Sequence, residues 1–218
     1  DVTVVWAQTD DGTRGFIVER GTEGFTYNSE KRRGSMRAGD VGELVFSDCK
    51  IPSENILLKS AGLRSMFMCF NQARYAIAWG MMGVAMDCYE TALNYTKERE
   101  QFGAPIASYQ LVQEKLVTML TEITKGHLLA YRLGRLMDEG KATYPQISLA
   151  KRSNVLVARM CARTARELMG ANGISYDFPP MRHMANIESV YTYQGTDDMH
   201  TLIIGQDITG IPAFTRKF

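Results

Sequence analysis

The sequence has 218 residues, enough for one large domain or two small ones. Its hydrophobic share of 45% and charged share of 22% suit a globular chain that builds its core without disulfides or metal. Lys and Arg total 25 against 24 Asp and Glu, which argues against nucleic acid, because that binding needs a concentrated basic face.

The chain starts at Asp1 and passes straight into the strand-like run Val2-Thr3-Val4-Val5-Trp6, as a fragment beginning inside a β-structure would. Strands are predicted over 2–8, 15–19 and 41–46, separated by turn signals at Asp10-Asp11-Gly12 and at 21–24. So few short strands would leave apolar edges bare, so a partner sheet is expected. Lys31-Arg32-Arg33 is a basic cluster too short to mark more than a solvated turn.

After Leu58 the apolar period becomes helical. Leu63, Met66, Phe67, Phe70, Arg74, Ile77, Met81, Val84 and Cys88 fall three and four apart, in a run reaching about Arg99. At 1.5 Å per residue that helix is roughly 50 Å long. Ala76, Ala78 and Trp79 are expected on the side opposite Met82. Gly103 and Pro105 break the run. A second stripe joins Val112, Leu116, Met119, Ile123, Ala130 and Met137 and ends near Gly140; a third, from Pro145, joins Ile147, Ala150, Val157, Cys161, Ala165 and Leu168 and stops at Gly170. Shorter helices are expected around 184–190 and 197–205, the last with Thr196 as N-cap. The fold class is therefore mainly α: an antiparallel four-helix-type bundle over 59–218, preceded by a partial β-domain over 1–58. Such a bundle, apolar on more than one side, should associate with copies of itself.

Cys49, Cys69, Cys88 and Cys161 stand far apart, three of them in apolar helical surroundings, where a free cysteine behaves as a small hydrophobe. A reducing compartment fits that usage. His127, His183 and His200 show no ligand spacing, so no metal site is expected. No run of eighteen apolar residues marks a membrane span.

Three clusters interrupt the bundle pattern. Arg99-Glu100-Gln101-Phe102-Gly103 sets a guanidinium suited to phosphate, and an aromatic face, at the end of the long helix; a plain helix end, with Arg99 complementing the dipole, is the alternative. Gly170-Ala171-Asn172-Gly173 follows the third helix, where small residues let a ligand approach the backbone or simply cap the helix. Tyr193-Gln194-Gly195-Thr196 precedes the last helix, whose first N–H groups can hold a polar or anionic ligand.

Taken together and in order, Asn71-Gln72-Ala73-Arg74-Tyr75, Arg99 with Gln101-Phe102-Gly103, Gly170-Ala171-Asn172-Gly173 and Tyr193-x-Gly195-Thr196 resemble the acyl-CoA dehydrogenase pattern. Longer stretches resemble its glutaryl-CoA dehydrogenase branch: Ala73-Arg74-Tyr75-x-Ile77-Ala78-Trp79-Gly80, Leu120-Thr121-Glu122-Ile123-Thr124 and Ile208-Thr209-Gly210-Ile211-x-Ala213-Phe214. The resemblance implies a subunit with a helical N-terminal domain, a middle β-domain and a C-terminal bundle at the core of a homotetramer. This chain would hold the end of the β-domain and the whole bundle. It further implies FAD, an acyl-CoA substrate, oxidation of the Cα–Cβ bond by a carboxylate base and hydride transfer, and electron-transfer flavoprotein as acceptor. The implied compartment is the cytoplasm, or the mitochondrial matrix in a eukaryote.

Carried over by position, the resemblance gives Arg99, Phe102 and Gln110 to the FAD of a neighbouring subunit, with Glu167, Gly170 and Ala171 beside the same cofactor. Thr196 and Asp198 would lie beside the flavin of their own subunit. Phe70, Asn71 and Arg74 would contact the acyl-CoA, and Tyr193 and Gly195 would line the acyl pocket. Glu167 and Ala171 depart from a pattern that often has glutamine and a second glycine. Gln194 departs further, since it stands where the catalytic glutamate is expected and an amide takes up no proton near neutral pH. Relatives that carry the base just before the arginine matching Arg74 offer no rescue, because that position is Ala73. Three readings follow: an inactivating replacement, a base contributed by an N-terminal part of a longer protein, or a module that has lost dehydrogenation and kept acyl-CoA or flavin binding.

Overall fold

A computed structural model of the protein describes residues 1–60 and 62–213. Phe214, last in the stretches that carry the resemblance, lies outside them. The chain divides into two compact units, Asp1–Gln72 and Ala73–Phe218.

In the first unit, β1 (Val2–Thr9) and β2 (Gly12–Glu19) form an antiparallel hairpin in register from Val2 opposite Glu19 to Thr9 opposite Gly12. Its β-branched residues favour the pleated strand, and Asp10-Asp11 makes the turn. The sequence misses β3 (Phe25–Ser29), which pairs with β4 (Gly42–Phe46) and stacks Phe25 on Phe46 with ring centroids 5.0 Å apart. Phe25-Thr26-Tyr27 is too short a pattern, beside polar Asn28-Ser29, to announce a strand. The two hairpins remain separate sheets, and β4 leaves Leu44, Val45 and Phe46 exposed. Buried Ser60 ties the segment after β4 back to β2: its hydroxyl accepts the Gly15 N–H at 3.0 Å, and its carbonyl accepts from Arg14 at 2.9 Å.

The helices are α1 (Gly62–Glu98), α2 (Gln110–Asp138), α3 (Tyr144–Leu168), α4 (Pro179–Thr192) and α5 (Asp197–Thr209). The first begins in the first unit and belongs to the second from Ala73 onward. A capping box in which the Thr143 N–H donates to Gln146 Oε1 at 3.0 Å, with Pro145 at the start, sets the beginning of α3. Within the second unit α3 is central and packs on α2, α4 and α5.

Small side chains make this possible. Ala150, Ala158, Ala162 and Ala165 of α3 are wholly buried, and Met82, Ala85, Met119, Ile187 and Val190 fill the space around the helix. The stripes predicted for α2 and α3 are largely the buried ones, with Val112 and Met137 at the ends of the α2 stripe and Val157 of α3 only half-buried. In α1 the inward face is Ala78, Met81, Met82, Ala85 and Cys88, whereas Leu63 and Phe67, both in the first unit, are exposed. Ala78 does not oppose Met82: four residues apart on a helix, the two share the buried face, and only Ala76 and Trp79 look outward. Cys88 and Cys161 are buried, with thiols pushed up to about 12 by desolvation; Cys69 is exposed, against its apolar surroundings in sequence. Among the described residues no helix is long and apolar enough to cross a membrane, and no group of His, Cys, Asp or Glu is arranged to hold a metal.

Candidate functional site

The turn between α4 and α5 is met by charged side chains from α1 and α3. α4 ends at Thr192 with Tyr193 extended, and α5 begins behind Thr196, whose hydroxyl accepts the Met199 N–H at 3.2 Å as an N-cap. Between them Gln194 and Gly195 are both left-handed, with φ of 56° and 93°. For glutamine that conformation costs roughly 1 kcal/mol, so something must hold it.

What holds it is a pair of cations. Arg74 Nε donates to the Gln194 carbonyl at 2.9 Å. Lys151 Nζ donates to the Tyr193 carbonyl at 3.1 Å and to the Gly195 carbonyl at 2.9 Å. Three successive carbonyls are therefore gripped by side chains from α1 and α3. Lys151 is 1% exposed, and burial pulls its ammonium down to about 8, assisted by Arg74 and opposed by Asp197. It stays charged at neutral pH. Burial likewise lowers Arg74, which remains a cation.

Below the turn lies His200, 0% exposed. Neither of its ring nitrogens makes a well-formed hydrogen bond. Burial first, then the charges of Lys151 and Arg74, pushes it down to about 4, so it is neutral at pH 7. A Cβ on Gly195 would stand 3.0 Å from His200 Nε2. Asp197, the first residue of α5, turns its carboxylate to Arg152 Nε at 3.1 Å. Gln194 Oε1 is buried and accepts no hydrogen bond, so the turn presents one buried acceptor to whatever occupies the site.

A second locus forms where α1 ends. Glu100-Gln101 pairs with Ala104-Pro105 as a minimal hairpin, β5–β6, around Phe102-Gly103. The Ile106 N–H donates to the Arg99 carbonyl at 2.8 Å, and Tyr109 Oη donates to the Gln101 carbonyl at 2.7 Å. Arg99, Gln101, Tyr95, Gly170, Ala171 and Asn172 then line a cleft of about 440 Å³. Asn172 Nδ2 donates to Tyr95 Oη at 3.0 Å and closes one wall. Phe102 stands at the hairpin tip, 96% exposed.

The structure thus brings Arg99, Gly170 and Ala171 to one cleft, and Arg74, Tyr193, Gln194, Gly195 and Thr196 to one turn. Glu167 is exposed and absent from the cleft lining: Lys115 Nζ donates to its carboxylate at 2.6 Å, and that bond holds the carboxyl below its ordinary range. Gln110, first in α2, and Asp198, in the first turn of α5, are both exposed. Phe70 and Asn71 lie in the first unit on α1, where Phe70 meets Phe67 edge to face at 6.2 Å. Lys151 and His200 escaped the sequence reading. Lys151 sits among apolar stripe positions with only its charge, at a buried register, as a signal.

Residues 60–209 match the family model for the acyl-CoA dehydrogenase C-terminal domain. A solved glutaryl-CoA dehydrogenase from Mycobacterium smegmatis superposes with a TM-score of 0.96 at 49% identity, over 99% of this chain and 56% of that one. A second structure under that name and from that organism, in complex with FADH2, gives 0.96 at 46% identity over the same shares. A glutaryl-CoA dehydrogenase of Desulfococcus multivorans is 33% identical over 99% of this chain and 57% of its own length. The chain spans about half the length of these relatives.

Proposed function

The chain belongs to the acyl-CoA dehydrogenase family, and from that premise we propose that it supplies the C-terminal bundle of an FAD-dependent oxidoreductase acting on the Cα–Cβ bond of a glutaryl-CoA-like thioester. The observation that carries this reading is the 193–195 turn, gripped through three carbonyls so that half-buried Gln194 keeps its side-chain Oε1 buried and without a donor. Enzymes that remove a proton beside a carbonyl need such a fixed side chain, because misplacement by about 1 Å can cost 10²-fold in rate.

The cleft beside α1 fits a flat, phosphate-bearing cofactor. Arg99 supplies a permanent cation, and Gly170 has nothing within 4 Å of where a Cβ would stand, so a ligand can approach its backbone. The relative in complex with FADH2 supports that assignment. FAD, when bound, would supply the hydride acceptor. Arg99, Phe102, Gln110, Gly170 and Ala171 would bind it across a subunit boundary, with Thr196 and Asp198 on the other side. Glu167 would sit beside it, its charge offset by Lys115. Arg74, Phe70 and Asn71 would orient the thioester, and Tyr193 and Gly195 would shape the acyl pocket.

Gln194 can orient but cannot accept the Cα proton. Two readings therefore stand: dehydrogenation with a base supplied from outside this chain, or an acyl-CoA- or flavin-binding module without turnover, which the amide favours. Assembly as a homotetramer through the exposed apolar residues of α2, Leu120 and Leu128 among them, belongs to the same proposal. So do electron-transfer flavoprotein as acceptor, a cytoplasmic or mitochondrial-matrix location, and division of the chain at residue 58. The test is anaerobic: glutaryl-CoA and butyryl-CoA are each added to the full-length, FAD-loaded protein. Bleaching of the flavin band indicates dehydrogenation, and a perturbed band without bleaching indicates binding alone. An unchanged spectrum with both thioesters would end the proposal.

A further inference from the structure

Gln194 and Gly195 are consecutive left-handed residues outside any hairpin, and a residue other than glycine keeps that conformation there only where its surroundings determine it. Here the neighbours are unusually specific. Lys151, in the N-terminal third of α3, reaches residues 42 and 44 positions further along the chain and bridges the carbonyls of Tyr193 and Gly195. The two peptide planes that meet at the Cα of Gln194 carry the carbonyls of Tyr193 and of Gln194 itself. Lys151 holds the first plane and, through the Gly195 carbonyl, the plane that follows the second, so the direction in which the side chain leaves the backbone is fixed once the plane between them is held as well. The third carbonyl, that of Gln194 itself, is taken by Arg74, and His200 blocks any inward collapse at Gly195. Asp197, buried nearby and paired with Arg152 Nε at 3.1 Å, adds an attractive charge, but the hydrogen bonds of the Lys151 ammonium go to the carbonyls of the turn. A cation placed there at the cost of desolvation is explained by what it grips.

We propose that Lys151 is a positioning residue for Gln194: a single buried ammonium, shared between the carbonyls of Tyr193 and Gly195, sets the side chain at position 194 in the orientation the ligand meets. The grip itself is independent of the family, but its consequence for a ligand rests on the proposed function. Lys151→Met keeps most of the unbranched stem of the side chain, one atom shorter, and removes the donors, which makes it the test variant in the full-length protein. A crystal structure of this variant should show Gln194 leaving its positive φ, while α3 and α5 keep their places. Calorimetric titration with butyryl-CoA should show at least tenfold weaker binding, with a melting temperature within a few degrees of the parent. A merely structural lysine would give the opposite pair, a lowered melting temperature with unchanged affinity. A turn unmoved in Lys151→Met would overturn the proposal.

A measurement on the unmodified protein guards against a variant that fails to fold. With ¹⁵N-labelled lysine, an ammonium held by two carbonyls gives a resolved signal with slowly exchanging protons, and its absence would equally overturn the grip. If the turn moves but neither protein binds a CoA thioester, Lys151 keeps its role in the turn and the proposed function falls. If both bind equally with the turn in place, the function stands and the positioning role falls.

Discussion

Two places in the second unit carry a left-handed residue followed by a left-handed glycine: Phe102-Gly103, with φ of 54° and 83°, and Gln194-Gly195, with φ of 56° and 93°. The first is made locally. It is the two-residue loop of β5–β6, the positive-φ pair that antiparallel strands prefer, and nothing lies within 4 Å of where a Gly103 Cβ would stand. The second is made by tertiary contacts. Arg74 from α1, Lys151 from α3 and His200 from α5 converge on it, the nearest of its gripping residues in sequence being 42 positions away. The same backbone geometry therefore leaves Phe102 bare, ready to be covered by something else, and fixes Gln194 in place. One turn offers a surface and the other offers a direction.

Acid should separate the two turns most strongly. The folded His200 pKa, about 4, lies below its ordinary 6.5. The unfolded chain therefore takes up that proton first, so His200's contribution is complete above pH 6.5 and is lost as pH falls toward 4. The loss amounts to about 3 kcal/mol. The groups facing it are Lys151 on α3, Arg74 on α1 and Asp197 on its own helix. Urea unfolding of wild type and His200→Gln at pH 7 and pH 4.5 reads the difference; equal pH slopes for the two proteins would show that the turn does not bury a neutral imidazole. Next comes Gly195→Ala, which meets both the left-handed backbone and the 3.0 Å approach to His200, at a cost of about 2 to 3 kcal/mol. Gly103→Ala meets only the backbone, at about 1 kcal/mol. Comparing the two urea midpoints tests whether one turn is gripped and the other merely folded, and equal losses would erase the distinction.

The asymmetry also marks how much the sequence could show. Stripes such as Leu116-Met119-Ile123 and Ile147-Ala150 record burial because helical packing is a local, periodic demand. The misplacement of Ala78 opposite Met82 came from taking two apolar sides for two faces, when residues four apart are neighbours. Phe102-Gly103 was legible as a break, although not as a hairpin, since strands of two residues leave no pattern. Arg74 and Gln194 were each picked out by motif, but no property of either announces a bond across 120 positions. Lys151 had no motif at all. In sequence it is only a charge at a buried register, and the folded chain alone shows the two carbonyls that it holds.

The central claim is that the turn presents position 194 to a thioester and that the residue there decides turnover. Gln194→Glu in the full-length, FAD-loaded protein tests it, with anaerobic flavin bleaching by glutaryl-CoA as the readout. Supplying the missing base should raise the bleaching rate by a factor of about 10² to 10⁴, with Lys151 and Arg74 still gripping the turn. Identical rates in the two proteins, whether both fast or both zero, would contradict the claim.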